Sequence, residues 1–280
     1  STDSKLRLFT VKRNSRFTPV DTVSGQWSEA APASVREFSA TAYYFGRELR
    51  RMLDVPVGLI VASWGGSACE AWMTADWLKA FPDAKIPASE DDIKSKNRTP
   101  TVLYNGMLHP LIGYTMRGVI WYQGEDNVPR YKTYADMMTA MIKGWRSEWG
   151  QGDFPFYFCQ IAPYDYKIIN YTVNSALLRE QQSKADLMSE NCGMAVLMDA
   201  GLEYGIHPRK KNLAGLRLAL LALDKTYGVE GLKSESPYFR DVTFQNDTAV
   251  VRFNRADMWV YGRNGLKSDL FEVAGEDHVF

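Results

Sequence analysis

Cysteine and histidine are scarce in this 280-residue chain. The three cysteines, Cys69, Cys159 and Cys192, are widely spaced, and an odd number leaves one unpaired, which excludes a disulfide framework. With three histidines (His109, His207 and His278) and neither CxxC nor HExxH, no metal is expected. An excess of one charge is also missing, since 33 basic residues balance 33 acidic ones. That balance argues against nucleic acid or an anionic membrane surface as the main partner. No apolar run approaches the ~18 residues of a membrane span. The longest, Val57–Trp64 and Gly215–Leu223, are short, and Arg217 interrupts the second. Neither GxGxxG nor GxxxxGKS occurs, so a phosphate-binding loop is not expected. No secretory leader stands at Ser1, and the chain opens and closes near strand-like runs, so it reads as a fragment.

What is present is an ordinary globular composition, 45% apolar and 24% charged. Leu6–Val11 alternates like a strand, and Arg13–Pro32 reads as a polar loop. Ser39 opens a helix, Ala40–Leu53, with Ala42, Phe45, Leu49 and Leu53 on one face. Val57–Ser63 reads as a strand buried on both faces, and Lys79–Thr99 as a surface excursion. The rhythm repeats with strands at Gly118–Tyr122, Phe154–Ala162 and Met194–Met198. Helices are expected at Tyr131–Trp149, Val173–Ala185 and Arg209–Tyr227. Strands alternating with long helices predict βαβ units and an α/β fold with a parallel sheet. Near Pro237 the pattern changes. Asp241–Phe244 and Ala249–Phe253 flank Asn246-Asp247 as a hairpin, and Lys267–Val273 reads as a further strand. The expected division is 1–233, an α/β domain, and 234–280, a β-rich segment.

Sites in parallel α/β sheets form beyond the carboxyl ends of strands, and three such ends carry unusual residues. Ser63-Trp64-Gly65-Gly66-Ser67 could aim a backbone N–H at a ligand, although a Gly-Gly pair alone signals no more than a tight turn. Trp121-Tyr122-Gln123-Gly124-Glu125-Asp126-Asn127 ends a buried strand in polar groups that need partners, and an Asn amide there can donate to an oxyanion. Asp199 to Pro208 places His207 before a helix as a candidate general base, with Asp199 or Glu203 to orient its ring. His109, in Tyr104-Asn105-Gly106-Met107-Leu108-His109-Pro110, fits a core histidine and a substrate contact equally, and nothing catalytic is expected of His278. Trp64, Trp72 and Trp121 read first as packing and second as a sugar-stacking wall.

These blocks resemble a family. Val55–Ile60, Ser63–Ser67 and Glu70-Ala71-Trp72 are similar to the second block of the sialate O-acetylesterases, SGNH-type esterases that remove acetyl groups from sialic acids. Trp121–Asn127 resembles their W-x-Q-G-E-x-N block, Ile206-His207-Pro208 their histidine block, and Leu103–Met107 a further match. Related acetyl xylan esterases share these blocks. The resemblance implies a three-layer α/β/α sandwich followed by a β-rich segment, serine esterase chemistry without a cofactor, an acetylated sugar as substrate, and a secreted or periplasmic location. It implies His207 as general base, with Asn127 and Gly65 or Gly66 lining the oxyanion hole. Gln123, Glu125, Trp64, Asn105 and His109 become candidate substrate contacts. The family's nucleophile lies in a G-Q-S-N-M block upstream of the stretch seen here at Leu6–Phe9. Ser28, in Ser24-Gly25-Gln26-Trp27-Ser28, follows no buried strand and is not nominated, and neither is Ser67. Many relatives carry Asp two residues before the histidine, where Gly205 stands here. Residues 1–280 alone are therefore expected to lack turnover. The other readings are an inactive carbohydrate-binding protein on this fold and, third, a glycosidase using Glu125 and Asp199.

Overall fold

Buried Leu6 and Leu8 alternate with exposed Lys5 and Arg7, the two-residue period that builds strand β1 (Asp3–Thr10). The computed structural model describes residues 2–172, 174–256, 260, 271–277 and 279. They form two compact units, Ser1–Ser234 and Glu235–Phe280.

In the first unit, β1 is followed by β2 (Trp27–Ala30), α1 (Pro32–Arg36), α2 (Ala40–Leu53), β3 (Val57–Val61) and α3 (Ala75–Leu78). Then come β4 (Val119–Trp121), α4 (Tyr134–Trp149), β5 (Phe156–Cys159), α5 (Ser175–Met188), β6 (Cys192–Ala195) and α6 (Lys211–Leu221). Ser39 caps α2, accepting from the Ala42 N–H at 3.3 Å, a contact that contributes about 1 kcal/mol. The helix stops at Asp54, whose φ of 50° is left-handed.

Strand β1 runs parallel to β3 (Leu6 beside Val57) and antiparallel to β2 (Phe9 beside Trp27). Strands β4, β5 and β6 form a second parallel group. Among the described residues no ladder joins β3 to β4, yet Phe45, Val57 and Ile120 pack against both core clusters. Alternation along β5 sets the layers. Tyr157 and Cys159 join Leu49 of α2 and Leu218 of α6 on one face. On the other face Phe156 meets Trp145 of α4 at 5.8 Å and Trp121 at 6.4 Å. Each such fully buried ring is worth roughly 1.5–3 kcal/mol in transfer from water. This is the expected α/β arrangement, with helices on both faces of parallel strands. The three cysteines are buried free thiols.

The second unit contains β7 (Tyr238–Gln245) and β8 (Thr248–Asn254), an antiparallel hairpin turning at Asn246, whose φ is 49°.

Several elements depart from their expected bounds. Part of the expected loop Arg13–Pro32 is β2, an edge strand too short to show alternation and held by Trp27 on Phe9 at 5.3 Å. Helix α4 begins at Tyr134 because Glu125–Thr133 forms 3₁₀ turns that contain Pro129 and break at Arg130, φ −112°. Strand β6 starts two residues before the expected Met194–Met198 and ends at Ala195, three short of Met198, its last partnered carbonyl, Ala195 O, accepting from the Gln160 N–H. Of the expected Lys267–Val273 strand, residues 267–270 lie outside the described residues, as does His278.

Candidate active site

The loop after β4 is the hub. Gln123 is buried with every side-chain group engaged. Its amide donates to Ser67 O at 2.9 Å and Asn127 Oδ1 at 2.7 Å, and its Oε1 accepts from the Tyr134 hydroxyl at 2.9 Å. Asn127 Oδ1 also accepts from the Cys69 N–H at 2.9 Å, and its Nδ2 donates to Glu70 Oε2 at 2.8 Å. The loops after β3 and β4 are thus sewn together by buried amides. Buried amides left without partners would cost about 1–3 kcal/mol each.

The twin-glycine turn lies on the exposed side of this seam. Gly66 has φ +69°, a left-handed conformation that favours glycine, and no atom lies within 4 Å of where a Gly65 Cβ would stand. Asn97 donates to Gly65 O at 2.8 Å and Arg98 to Gly66 O at 3.3 Å, which fixes the carbonyls. Trp64 flanks the turn, half-buried, with the Arg13 guanidinium 5.7 Å from its ring. Ser67 is buried and accepts from the Trp72 indole at 3.0 Å, a scaffold role.

A 3₁₀ turn rotates consecutive side chains by about 120°, and it splits the polar cluster. Asp126 and Asn127 turn to the β3 loop, where Asp126 meets Arg98 at 2.7 Å. Glu125 does not share those partners, and its carboxyl lies within electrostatic reach of Lys211 and His207. Burial pushes the Glu125 carboxyl up, while the charges of Lys211 and His207 pull it partly back. Lys211 lies 4.6 Å from the centroid of the Tyr122 ring, and burial pulls its ammonium down. His207 itself is exposed, at the end of a loop tied to the segment after β5 by the Asp165 N–H on Glu203 O at 3.0 Å. The three loops therefore converge, with Gln123 to Asn127 between the glycine turn and the histidine.

Other expected roles change. Both Asp199 oxygens meet Arg217, at 2.6 and 2.8 Å, and the neighbouring Glu203 carboxylate raises the pKa of the Tyr204 hydroxyl. Glu125 is the carboxyl that feels the His207 charge, after that of Lys211. Gly205 closes a turn with Leu202. Asn105 donates to Phe17 O at 2.7 Å and Arg16 O at 3.3 Å, and His109 Nδ1 donates to Val20 O at 3.0 Å. Gly106 admits the same loop, because a Cβ there would stand 2.2 Å from Asn14 O. The Asn105–His109 block thus pins the segment 14–20 through the Asn105 amide nitrogen and one ring nitrogen of His109. Trp72 and Trp121 are core, their rings 6.1 Å apart edge to face.

Sequence reasoning missed Glu70, Arg98 and Arg130 as members of this region. Arg130 bonds Glu70 Oε1 and Asp126 Oδ2, both at 3.0 Å. The signals were an acid inside the apolar run Ala68–Trp72 and an Asp126–Arg130 pair at i,i+4 spacing. Arg98, in a polar excursion, left none.

Comparison with known proteins follows the same blocks. The family described as carbohydrate esterase, sialic acid-specific acetylesterase matches residues 15–195. The human sialate O-acetylesterase is 34% identical over 236 residues, covering 76% of this chain and 45% of its own length. The rat sialate O-acetylesterase is 30% identical over 285 residues, covering 83% and 52%. The chain therefore spans about half the length of these curated relatives. The crystal structure of a carbohydrate acetylesterase from Xanthomonas citri superposes with a TM-score of 0.88 at 38% identity, over 99% of this chain and 61% of that one. With the matched segment spanning the seam between the glycine turn and Asn127, this chain belongs to the sialic acid-specific acetylesterase family of carbohydrate esterases.

Proposed function

We propose that this chain is the greater part of the catalytic domain of a sialate O-acetylesterase, an enzyme that hydrolyses acetyl esters of acidic sugars through an acyl-serine. The observation that carries the reading is the convergence of His207, Glu125, Asn127 and the Gly65–Gly66 turn around one loop. A serine hydroxyl attacks the acetyl carbonyl while His207 takes its proton. The Gly66 N–H and the second N–H of the Asn127 amide receive the oxyanion, each such donor being worth ~3 kcal/mol in the transition state. Collapse returns the proton from His207 to the departing sugar oxygen. Water, activated in turn by His207, then releases acetate. Glu125 balances the imidazolium charge. Among the described residues no ladder covers the facing edges of β3 and β4, and a strand set between them would bring a serine to this loop cluster.

The test is hydrolysis of p-nitrophenyl acetate and of O-acetyl sialic acid by the full gene product. His207→Ala is expected to lower kcat by about 10³-fold or more, and residues 1–280 alone to show no turnover. An unchanged rate in His207→Ala removes the histidine from the mechanism. Sugar binding without hydrolysis by the full gene product would replace the esterase with a carbohydrate-binding protein on the same fold.

A further inference from the structure

Beside the glycine turn lies a cleft of about 390 Å3 whose walls include Glu70, Lys85, Arg98, Asp126, Arg130 and Tyr171. That is the size range of small-ligand sites. Its charges cancel in number but not in place. The Glu70 and Asp126 side chains are 7% and 6% exposed and lie behind the arginines, whose side chains are 45% and 58% exposed. All four carboxylate oxygens are engaged. Glu70 holds Arg130 Nε and Asn127 Nδ2, and Asp126 holds Arg98 Nε and Arg130 Nη2. The rim pair, Asp83 and Lys85, is exposed and offsets itself. What stands forward is guanidinium.

Arg98 is the better placed of the two. It is anchored through Nε alone, to Asp126 Oδ1 at 2.7 Å and Gly66 O at 3.3 Å. Its Nη1 and Nη2 form no hydrogen bond among the described residues. A guanidinium fixed by one edge and open along its terminal fork is shaped for a bidentate carboxylate. Its hold on Gly66 O ties the fork to the turn that receives the oxyanion. One sugar can then place an acetyl group at the turn and a carboxylate on Arg98.

We propose that this cleft is a carboxylate subsite in which Arg98 selects acidic over neutral acetylated sugars. The inference rests on the esterase reading and deepens it, by naming what distinguishes a sialate from a xylan ester at this site. The experiment is a calorimetric titration of the full gene product with N-acetylneuraminic acid and with its methyl ester, beside Arg98→Gln and Arg98→Lys. The acid is expected to bind about tenfold or more tighter than the methyl ester. Arg98→Gln should remove that preference and Arg98→Lys should keep part of it, since a lysine restores charge without the fork. Equal binding of acid and ester by the unsubstituted protein, binding of neither, or a preference that survives Arg98→Gln overturns the subsite. Hydrolysis of p-nitrophenyl acetate, which carries no carboxylate, reports separately on the esterase reading. Turnover without acid preference removes the subsite alone, and acid preference without turnover supports the subsite while removing the esterase.

Discussion

Asn127 accepts from the Cys69 N–H and the Gln123 amide and donates to Glu70, so its amide plane is held from three sides. In the proposed mechanism, a donor fixed in this way needs no reorganisation when charge develops beside it. Glu125 presents the opposite case, since its burial opposes its charge. Unfolded, a glutamate titrates near 4.5, and in the fold this carboxyl titrates higher. Between those values the folded state holds more protons, so stability is greatest below the unfolded value and falls as pH rises through the window. Above it the ionised carboxylate is a net burden that Lys211 and His207 only partly relieve. Glu125→Gln should therefore melt higher than the parent at pH 7, with the gap closing as pH approaches 4.5. Thermal melts across that range check it, and a lower melting point at pH 7 would contradict the burial account.

At the scale of elements, α2 and α6 meet backbone to backbone at Gly215. A Cβ at Gly215 would stand 2.6 Å from the Tyr44 Cβ, 2.7 Å from Thr41 O and 2.8 Å from the Phe45 N. Two of those atoms are backbone and cannot swing aside, so Gly215→Ala must separate the helices. The expected loss is about 1–3 kcal/mol by urea unfolding, with no change in m. A neutral result would mean that the helices slide freely over one another. The same pair shows what a sequence discloses. Helix α2 was legible because its period, its Ser39 cap and its stop coincide, and β3 because an unbroken apolar run can only be buried on both faces. The histidine and QGEDN loops stood out because polar residues followed buried strands. What stayed hidden depends on partners distant in sequence. Asn105 looked like a substrate contact because nothing local reveals that Phe17 and Arg16 carbonyls meet it. Asp199 looked like a partner for the histidine until Arg217, one helix later, took both its oxygens. Arg98 carried no pattern at all, since its role arises from a buried acid in another loop.

At the scale of the whole molecule, the apolar interior belongs to the first unit. Among the described residues, every buried apolar side chain falls between Leu6 and Leu223, before the division at Ser234. The last link in that stretch is also internal, Ser234 bonding Asp224 Oδ2 through its N–H at 3.1 Å and its hydroxyl at 2.7 Å. The described strands of the second unit form a hairpin that is largely exposed, with Phe239 and Phe244 61% and 73% accessible, and a two-stranded ribbon is marginal on its own. Cooperativity should then reside in residues 1–234. Ending the chain after Ser234 is expected to preserve a single unfolding transition, with a midpoint within about 5 °C of the parent, the shift that roughly 1–2 kcal/mol produces at this size. Ending it before Asp224 removes part of the turn after α6 together with Val229 and Leu232, which pack against the core, and should abolish that transition. A parent-like melt for the shorter chain, or loss of the transition on removing 235–280 alone, would place the stabilising core elsewhere than between the two helical layers.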